Sequence, residues 1–375
     1  MSLRSVVADS ALSELLSRNP VAFNESALSD LIRGRRVMVT GAGGSIGSEI
    51  CRLAASLNAA HISLLENSEL ALFNIHTELF RDYPDASVSD VMADIRDVSR
   101  IDHVFEREQP DIVFHAAALK HVYLVEHNPT EGVLTNVIGT RNIIRACQAH
   151  GVAQMVQIST DKAVNPNNVM GATKYMAESL VCAESEVTGT QFCAVRFGNV
   201  LGSTGSVVEV FRKQIASGGP VTLTHPDAER YFMTIHEAVQ LVMLAAVTSA
   251  KRGPAPARLF VLELGEPVKI RQLAEKMIRM AGLVPGQDMQ IEVTGLRDGE
   301  RLQESLIASD ELRVPFTDGV MELRKRNPTR GITRFDIDML EAIARQGDAE
   351  HLRTVLFDMI DRHRASSQVR DSALV

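Results

Sequence analysis

Hydrophobic and polar positions along the chain predict strands and helices in regular succession between residues 35 and 200. Short apolar runs rich in β-branched residues are typical of buried strands, and longer stretches with helical spacing separate them. The predicted strands span 35–40, 61–66, 89–94, 111–117, 153–160 and 191–200. The predicted helices end near residue 80, span 129–149 and begin near residue 170. This succession favours an α/β fold, a doubly wound parallel sheet with helices on both faces.

After residue 200 the succession is less regular, which indicates a change of architecture. Strands are predicted at 220–225, 259–264 and 289–295, and helices at 235–247, 270–283 and 336–363. We expect a smaller α/β C-terminal lobe that interleaves with the main sheet. The expected division is a helical lead-in at 1–34, the sheet domain at 35–200, the lobe at 201–335, and helices with a tail at 336–375.

Composition and charge narrow the class of protein. The 375 residues are 45% hydrophobic and 23% charged, which is ordinary for a soluble globular protein. A formal net charge of −8 argues against a nucleic-acid partner, and four cysteines without a CxxC pair predict free thiols in a reducing compartment. No apolar run approaches the roughly 20 residues that span a bilayer, and the N-terminus lacks the apolar core of a signal peptide. We therefore expect a cytoplasmic protein without a membrane span.

The first predicted strand leads directly into a glycine-rich turn and then a helix. Gly41, Gly44 and Gly47 give the spacing GxxGxxG, and Ile46 occupies the last glycine position of the strict GxGxxG pattern. Glycines here permit a tight turn and let the backbone, including that of Ser45, approach a pyrophosphate at the helix N-terminus. This context predicts a dinucleotide site.

Acidic residues close the next two predicted strands. Glu66 follows Gly47 by nineteen positions, where a carboxylate accepts hydrogen bonds from the adenosine ribose hydroxyls and repels a 2′-phosphate. This favours NAD over NADP, and a solvated loop carboxylate is the alternative interpretation of Glu66. Asp94, followed by Ile95, ends the third strand within reach of the adenine edge.

Small residues and then polar ones follow the fourth predicted strand. The small side chains of Ala116, Ala117 and Ala118 leave room for close approach of the nicotinamide half of the cofactor. Lys120 and His121 then line a sugar pocket, and Lys120 is also placed at the cofactor. His115, His121 and His127 do not form a convincing metal-ligand set, so we expect no metal.

Six motifs in the same order resemble the extended short-chain dehydrogenase/reductases. They are TGAGGSIG, ADIRD, HAAALKHV, TNVIGTRN, ISTDKAVNPNNVMGATK and VRFGNVLGS. Within that superfamily the chain resembles the nucleotide-sugar 4,6-dehydratases, and most closely the bacterial polysaccharide-biosynthesis branch that acts on UDP-N-acetylglucosamine. The resemblance covers about residues 8–330. Many members of the branch carry a transmembrane and linker region before the catalytic part, so this chain resembles a soluble version.

The resemblance implies a Rossmann domain that binds NAD at 35–200 and a lobe at 201–335 that mainly binds the UDP-sugar. It implies that hydride leaves sugar C4 for NAD⁺, that water is eliminated across C5 and C6, and that the hydride returns to C6. It also implies a homodimer or higher oligomer paired through helices beside the sheet. The product would pass to an aminotransferase in amino-sugar synthesis for surface glycans or nonulosonic acids.

The acid–base roles implied by the resemblance fall on three consecutive residues. Asp161 protonates the departing C6 hydroxyl, Lys162 takes the C5 proton, and the C4 hydroxyl proton passes to Asp161 through Thr160. A lysine base needs a lowered pKa, for which Lys174 offers a neighbouring cation. The alternative is that Asp161 and Lys162 form an ordinary surface ion pair.

Met170 stands where the superfamily places a catalytic tyrosine, four residues before the Lys174 that matches its ribose-binding lysine. A thioether exchanges no catalytic proton. Tyr175 points about 100° away from Lys174 on a helix and is predicted to pack in the core. The resembled branch commonly carries methionine here and is associated with retention at C5. We therefore expect UDP-2-acetamido-2,6-dideoxy-α-D-xylo-hexos-4-ulose as the product.

The remaining predicted site residues come from the same family motifs. Asn136 in TNVIGTRN is placed at the cofactor, and Asn199 at the UDP. Arg297 and Glu300 match an LRPGE pattern that binds phosphate and the uridine ribose, although Asp298 replaces its proline. Arg230 offers a further fork for phosphate, with a solvated surface role as the alternative for each arginine.

Two other functions stay open at this point. One is a C5-inverting 4,6-dehydratase or a 4-epimerase acting on a UDP-sugar. The epimerase would need the tyrosine and has no use for the Asp161–Lys162 pair. The other is a non-catalytic NAD-sensing protein that kept the fold and lost turnover, for which the absent tyrosine is the argument.

Overall fold

A nine-stranded sheet runs through the centre of the chain in the computed structural model, which describes residues 25–184, 189–251, 257–263, 265–317, 319–325 and 332–368. The strand order is β14-β15-β11-β6-β5-β4-β1-β2-β3. Its strands are β1 Arg36–Thr40, β2 His61–Glu66, β3 Val88–Met92, β4 Ile112–His115, β5 Gln154–Thr160, β6 Gln191–Phe197, β11 Arg258–Leu262, β14 Glu311–Thr317 and β15 Val320–Lys325. Most of the lead-in, Leu264 and the tail beyond 368 lie outside the described residues.

The pairing confirms the predicted doubly wound parallel sheet. From β3 to β11 every neighbouring pair of strands is parallel, and β11–β15 and β15–β14 are antiparallel. Because side chains alternate along a strand, Val37 and Val39 enter the hydrophobic core on one face of the sheet while Met38 enters the core on the other. Near-continuous burial of these strands is what a sheet covered on both faces requires.

Helices cover both faces of the sheet. They are α1 Glu25–Ile32, α2 Ser45–Ser56, α3 Glu69–Asp82, α4 Val98–Glu108, α5 Val122–His127, α6 Pro129–Val133, α7 Thr140–Ala149, α8 Val169–Glu184, α9 Val207–Ala216, α10 Ile235–Lys251, α11 Ile270–Met280, α12 Arg334–Gln346 and α13 Ala349–Gln368. A π-helical turn, Leu134–Gly139, joins α6 to α7, so the predicted helix at 129–149 is helical throughout but not uniformly α-helical. The predicted helix at 336–363 is two helices that separate at Gly347, whose φ of 81° is left-handed.

A smaller lobe packs around a third hydrophobic core that includes Phe211, Leu223 and Ile278. It contains α9, α11 and three two-stranded pairings. The paired strands are β7 Asn199–Leu201 with β10 Phe232–Thr234, β8 Val221–Leu223 with β13 Ile291–Val293, and β9 Glu229–Arg230 with β12 Val268–Lys269. Strands β11, β14 and β15 follow these elements in sequence but belong to the main sheet, so the two parts interleave.

The C-terminal helices α12 and α13 lie against α6, α8 and the π-helical turn, beside the sheet. Arg141 forms ion pairs with Asp338 and Glu341, and the Tyr175 hydroxyl lies 2.9 Å from His363 Nδ1. The C-terminal residues therefore cover α6, α8 and the π-helical turn on this side of the sheet. A homodimer that pairs through helices beside the sheet stays a prediction.

Candidate active site

The carboxyl ends of β1, β4, β5 and β6 meet at one edge of the sheet around a cavity of about 560 Å³. This is the edge at which open parallel sheets bind ligands. Most of the predicted cofactor residues line the cavity together, and they are Gly41, Gly44, Ser45, Ile46, Gly47, Glu66, Asp94, Ile95, Ala116, Ala117, Ala118, Lys120 and Lys174.

The glycine turn leaves no room for side chains at two of its positions. Gly41 has a φ of +67°, and a Cβ there would lie 2.8 Å from the backbone of Ala117. A Cβ on Gly47 would lie 2.0 Å from the Gly41 carbonyl oxygen. Gly44 caps α2 without a side-chain hydrogen bond from the described residues. The positive end of α2 therefore faces the cavity, as a pyrophosphate requires.

Glu66 is built into the cavity wall rather than solvated, because its residue is only 9% exposed. Its carboxylate accepts hydrogen bonds from the backbone N–H groups of Gly43 at 3.0 Å, Asn67 at 3.0 Å and Ser68 at 3.1 Å. The solvated-loop interpretation of Glu66 is thus wrong. Asp94 forms a close ion pair with Arg96 and lines the cavity beside it.

The structure corrects the prediction for Asn136, which does not line the cavity. Its amide oxygen accepts the Leu119 N–H at 2.8 Å, and its amide nitrogen donates to the Leu119 carbonyl at 2.9 Å and to Thr173 Oγ1 at 2.9 Å. Asn136 is buried behind the loop that follows β4 and ties this loop to α8. It therefore shapes the cavity from outside.

A buried histidine fixes the end of β4 below the same loop. His115 Nδ1 lies 2.6 Å from Thr40 Oγ1, and its Nε2 lies 3.0 Å from Thr140 Oγ1. Thr140 donates to the Asn136 carbonyl, so the His115 ring donates from Nε2 and accepts at Nδ1. Burial, together with the charge of Lys174, lowers the pKa of His115 to about 3, so the ring is neutral. A neutral ring in this network is a structural element and not a metal ligand.

Thr160, Asp161 and Lys162 lie where β5 ends, in a connected polar group. The Thr160 hydroxyl donates to Asp161 Oδ1 at 2.8 Å. Lys162 Nζ donates to Asp161 Oδ1 at 3.0 Å, to Asn199 Oδ1 at 3.1 Å and to Glu304 Oε2 at 2.9 Å. The Asp161 side chain is fully buried, so the alternative of an ordinary surface ion pair is wrong.

The protonation of this group is set by burial and by its mutual charges. Burial, opposed by the Lys162 charge and reinforced by Glu304, raises the pKa of Asp161 to about 7. Burial alone would lower the pKa of Lys162, but the carboxyl groups of Asp161 and Glu304 raise it. Burial alone would likewise raise the pKa of Glu304, but the charges of Lys162 and Arg230 lower it to about 2. Lys162 is therefore an ammonium ion, and Asp161 occupies both forms near neutral pH.

This arrangement corrects the predicted role of Lys174 toward Lys162. The charges that act most strongly on Lys162 are two carboxyl groups, and they raise its pKa instead of lowering it. Lys174 instead donates to the Ile158 carbonyl at 2.6 Å, and burial lowers the pKa of Lys174 to about 8. Lys174 lines the large cavity, and its role at the cofactor ribose stays a prediction.

Met170 also lines the large cavity, and its residue is 2% exposed. It lies in the first turn of α8 and packs within the core, so the position that would hold a tyrosine hydroxyl is filled by a thioether. Tyr175 packs against the same core, and burial raises the pKa of its hydroxyl. As predicted, Tyr175 lies away from the cavity, since its hydroxyl contacts His363.

Two smaller cavities of about 250 and 330 Å³ adjoin the large one on the side of the smaller lobe. The predicted substrate residues line them, and they are Lys120, His121, Asn199, Arg230, Arg297 and Glu300. Burial lowers the pKa of Lys120, although the charge of Glu209 acts in the opposite direction. Burial and the charge of Lys120 both lower the pKa of His121. Lys162 lines both the large cavity and the cavity of 250 Å³, so the acid–base group stands at their junction.

Arg230 differs from its predicted role as a free phosphate fork. Its guanidinium donates to the backbone carbonyls of Glu229, Arg301 and Leu302, and its Nε lies 3.2 Å from Glu304 Oε1. These contacts use most of its N–H donors, so Arg230 holds the loop that carries Glu304. Arg297 is exposed at the cavity rim, where it is better placed to meet an anion.

Glu304 was absent from the predicted site, although its side chain is only 7% exposed and contacts both Lys162 and Arg230. It stands in the run GLRDGERLQE, four residues after Glu300. That position in a substrate-binding run was the available signal. Within the described chain, no group of three or more His, Cys, Asp or Glu side chains is placed to hold a metal ion.

A family model described as polysaccharide biosynthesis protein matches residues 37–321. The chain belongs to this family. One similar protein is the probable polysaccharide biosynthesis protein EpsC of Bacillus subtilis (strain 168). It is 46% identical to this chain over 307 residues. That match covers 82% of this chain and 50% of the relative, so the chain spans about half the length of that protein.

A second relative is the UDP-N-acetylglucosamine 4,6-dehydratase (inverting) of Campylobacter jejuni strain 81-176, at 31% identity over 291 residues. The match covers 76% of this chain and 81% of that protein. Among solved structures, the DesIV dTDP-glucose 4,6-dehydratase double mutant from Streptomyces venezuelae, which has NAD bound, matches with a TM-score of 0.63 and 21% identity. It covers 72% of this chain and 88% of its own, and the fold is that of the extended short-chain dehydrogenase/reductases.

No helix within the described part of this family member is both long and apolar enough to cross a membrane.

Proposed function

We propose that this protein catalyses the NAD-dependent dehydration of UDP-N-acetylglucosamine to UDP-2-acetamido-2,6-dideoxy-α-D-xylo-hexos-4-ulose. The observation that carries the proposal is the position of Thr160, Asp161 and Lys162. They stand between a cavity built for a dinucleotide and cavities lined by basic and polar residues of the smaller lobe. A hydroxyl, a carboxyl group with a pKa near 7 and an amine are the groups that a dehydration needs.

The residues around the large cavity fit NAD. The glycine turn and the N-terminus of α2 would hold the pyrophosphate, Glu66 the adenosine ribose, and Lys174 the nicotinamide ribose. When bound, NAD supplies the site that accepts the C4 hydride and returns it to C6. Glu66 favours the unphosphorylated ribose of NAD because a 2′-phosphate would meet a buried carboxylate.

Replacing Glu66 by Gln is expected to weaken NAD binding by about tenfold and to narrow the preference for NAD over NADP. The amide keeps the size of the side chain but removes the charge that accepts both ribose hydroxyls. Calorimetric titration of the apoprotein with each dinucleotide measures both effects. The matched control is Glu69→Gln at the start of α3, which should leave both affinities unchanged. An unaltered preference in the Glu66 variant would remove this residue from cofactor selection.

The chain's own residues manage the protons of the proposed reaction. Asp161 accepts the C4 hydroxyl proton through Thr160, whose hydroxyl lies on the large cavity and contacts Asp161 Oδ1. The C4 ketone then acidifies C5–H, and Lys162 removes that proton while Asp161 protonates the departing C6 hydroxyl. A pKa near 7 suits a carboxyl group that first accepts and then donates.

The proposed substrate follows from the smaller lobe and from a named relative. Asn199, Arg297 and Glu300 offer hydrogen-bond groups and one positive charge where a nucleoside diphosphate would lie. The Campylobacter relative carries UDP-N-acetylglucosamine in its name. That relative is named inverting, whereas we propose retention at C5, because Met170 leaves the tyrosine position without a proton donor.

Replacing Met170 by Tyr is expected to leave the dehydration rate within about threefold of wild type, because Thr160 and Asp161 carry out the proton transfers. The added ring must also enter a buried position, which costs about 1–3 kcal/mol of stability when a core is overpacked. Initial rates and melting temperature measure both, with Met170→Leu as the size-matched control. A rate increase of tenfold or more in the Met170→Tyr variant would mean that methionine at this position does not support full dehydration activity.

Mass spectrometry of the product tests the function directly. The purified protein is incubated with UDP-N-acetylglucosamine, UDP-glucose and dTDP-glucose in separate reactions. Loss of one water from the first substrate, faster than from the other two, is the proposed result. A product of unchanged mass with an inverted C4 hydroxyl would indicate a 4-epimerase. No turnover of any sugar, with NAD bound, would favour a non-catalytic NAD-binding protein.

A further inference from the structure

In this structure the ammonium group of Lys162 has no lone pair with which to accept a substrate proton. Its ammonium group carries three N–H bonds, and they point to Asp161 Oδ1, Asn199 Oδ1 and Glu304 Oε2 at 3.0, 3.1 and 2.9 Å. A base that removes the C5 proton must present a lone pair. One of the three N–H protons must therefore pass to the group that accepts it.

The three acceptors differ in whether they can take a proton. The Asn199 amide oxygen is not basic near neutral pH. Asp161 is occupied in the proposed reaction, since it must carry the proton that goes to the C6 hydroxyl. Glu304 remains, and its Oε2 is the closest of the three atoms to Lys162 Nζ.

Glu304 lies within proton-transfer distance of Lys162 and close to Asp161. Its side chain is nearly buried, and the Arg230 guanidinium holds the opposite oxygen, Oε1, at 3.2 Å. Asp161 Oδ2 is also buried, and no N–H or O–H of the described residues reaches it. A side-chain interaction with Glu304 contributes to the raised pKa of Asp161, so the two carboxyl groups lie close to each other. The charge of Arg301 also acts on Glu304, and Arg301 in turn interacts with the charge of Arg364.

We propose that Glu304 is a positioning residue of the acid–base group. Glu304 takes a proton from Lys162, so that the Lys162 amine can remove the sugar C5 proton. This inference rests on the proposed function. The Nζ–H bond of Lys162 breaks and an Oε2–H bond forms, while the C5–H bond breaks and a new Nζ–H bond forms. The C5 electron pair forms the double bond to C6, and the C6 hydroxyl leaves as water with the Asp161 proton.

The positive charge of Arg230 keeps Glu304 ionised at rest, so the transfer takes place together with the breaking of the C5–H bond. At the end of the cycle Lys162 returns its proton to C5 and regains one from Glu304. Arg230 also ties Glu304 to the backbone of Arg301 and Leu302, close to Arg297 and Glu300. The loop that would bind UDP thus also places the proton acceptor.

Partial reactions of Glu304 variants with UDP-N-acetylglucosamine and NAD test this role. Glu304→Gln keeps the shape of the side chain but takes no proton. We expect NADH absorbance to appear in a single turnover within about threefold of wild type, since C4 oxidation uses Thr160 and Asp161. Deuterium entry at C5 and formation of the C6 methyl should fall about 100-fold or more. Glu292→Gln, an exposed residue of the same lobe, is the matched control and should behave as wild type.

Chemical rescue separates a proton acceptor from a merely structural side chain. Glu304→Ala leaves space for a small carboxylate, so added formate should raise its dehydration rate at least about tenfold, and equal chloride should not. Glu304→Asp should restore part of the rate. These two variants also decide the question if the Gln variant does not fold.

The proposal is overturned if the Gln variant dehydrates the sugar within threefold of wild type. It is also overturned if NADH formation and dehydration fall equally and formate rescues neither. Wild-type protein that forms neither NADH nor product from the UDP-sugar would contradict the proposed function itself, and so the two failures are distinguishable.

Discussion

Replacement of Lys162 by Met is expected to abolish removal of the C5 proton while NAD stays bound and C4 oxidation continues. Lys162 is the only amine of the Thr160–Asp161–Lys162 group, and it stands at the junction of the dinucleotide and substrate cavities. Methionine keeps much of the length of the side chain but presents no basic nitrogen. We expect dehydration to fall by about 10³-fold, within the range that general acid–base catalysis contributes.

The same replacement also changes the electrostatics of the site. It removes the cation between Asp161 and Glu304 and leaves two carboxyl groups that are nearly buried. Removing one partner of a buried ion pair costs about 3–5 kcal/mol when the remaining charge is left uncompensated. We expect part of that cost to be avoided because Asp161 takes up a proton.

Four measurements separate chemistry from folding in the Lys162 variant. Melting temperature and bound NAD report on the fold, NADH absorbance after mixing with the UDP-sugar reports C4 oxidation, and the C6 methyl signal reports dehydration. Accumulation of NADH without methyl formation is the expected pattern. Lys162→Ala should give the same pattern. Dehydration at the wild-type rate in either variant would remove Lys162 from the base role.

Replacement of Asp161 by Asn is expected to stop the reaction one step earlier. An amide neither accepts the C4 hydroxyl proton through Thr160 nor donates one to the C6 oxygen. NADH should therefore not appear, and dehydration should fall by about 10³-fold or more. Rapid mixing with the UDP-sugar, followed by absorbance and mass spectrometry, measures both steps. NADH formation at the wild-type rate would show that another group takes the C4 proton.

The pH dependence of the melting temperature of the Asp161 variant, relative to wild type, gives a further test, and the direction of the change can be predicted. The folded-state pKa of Asp161 is raised, mainly by burial, from 3.8 to about 7. The buried carboxyl group therefore favours folding most in its protonated form, and the wild type loses that contribution as pH rises from about 4 to 7. Asparagine does not titrate. The melting temperature of the variant relative to wild type should increase across this pH window, and a constant difference would contradict the raised pKa.

Local sequence signals were sufficient for strands β1 to β6 of the sheet and for most of the cofactor cavity. The run from β1 through Gly41 and Gly47 to α2 combines an apolar strand, an obligatory glycine turn and a helix, and each signal agrees with the others. Glu66 ends β2 and Asp161 directly follows β5, so their place at the carboxyl edge follows from topology. These residues were therefore predictable without knowledge of distant contacts.

The parts that were not predicted depend on contacts between distant segments. Glu304 reaches Lys162 across 142 positions of sequence, and no local pattern reports that contact. The pKa of Lys162 is raised first by the adjacent carboxyl group of Asp161 and then by this contact with Glu304, so the predicted lowering of that pKa is wrong. Strand β14 carries two charged residues, Glu311 and Arg313, and also Pro315, all of which weaken a strand signal. It is held by pairing with β15.

The most direct test of the central claim is a proton NMR time course of the wild-type protein with UDP-N-acetylglucosamine in deuterated water. No cofactor is added at first, and NAD is added in a parallel sample. The account predicts a growing C6 methyl signal with deuterium entering C5, and ring couplings that show retention at C5. Couplings of the inverted sugar would contradict the assignment of retention. A sugar that stays unchanged in both samples would contradict the account of Asp161 and Lys162 as a working acid–base pair.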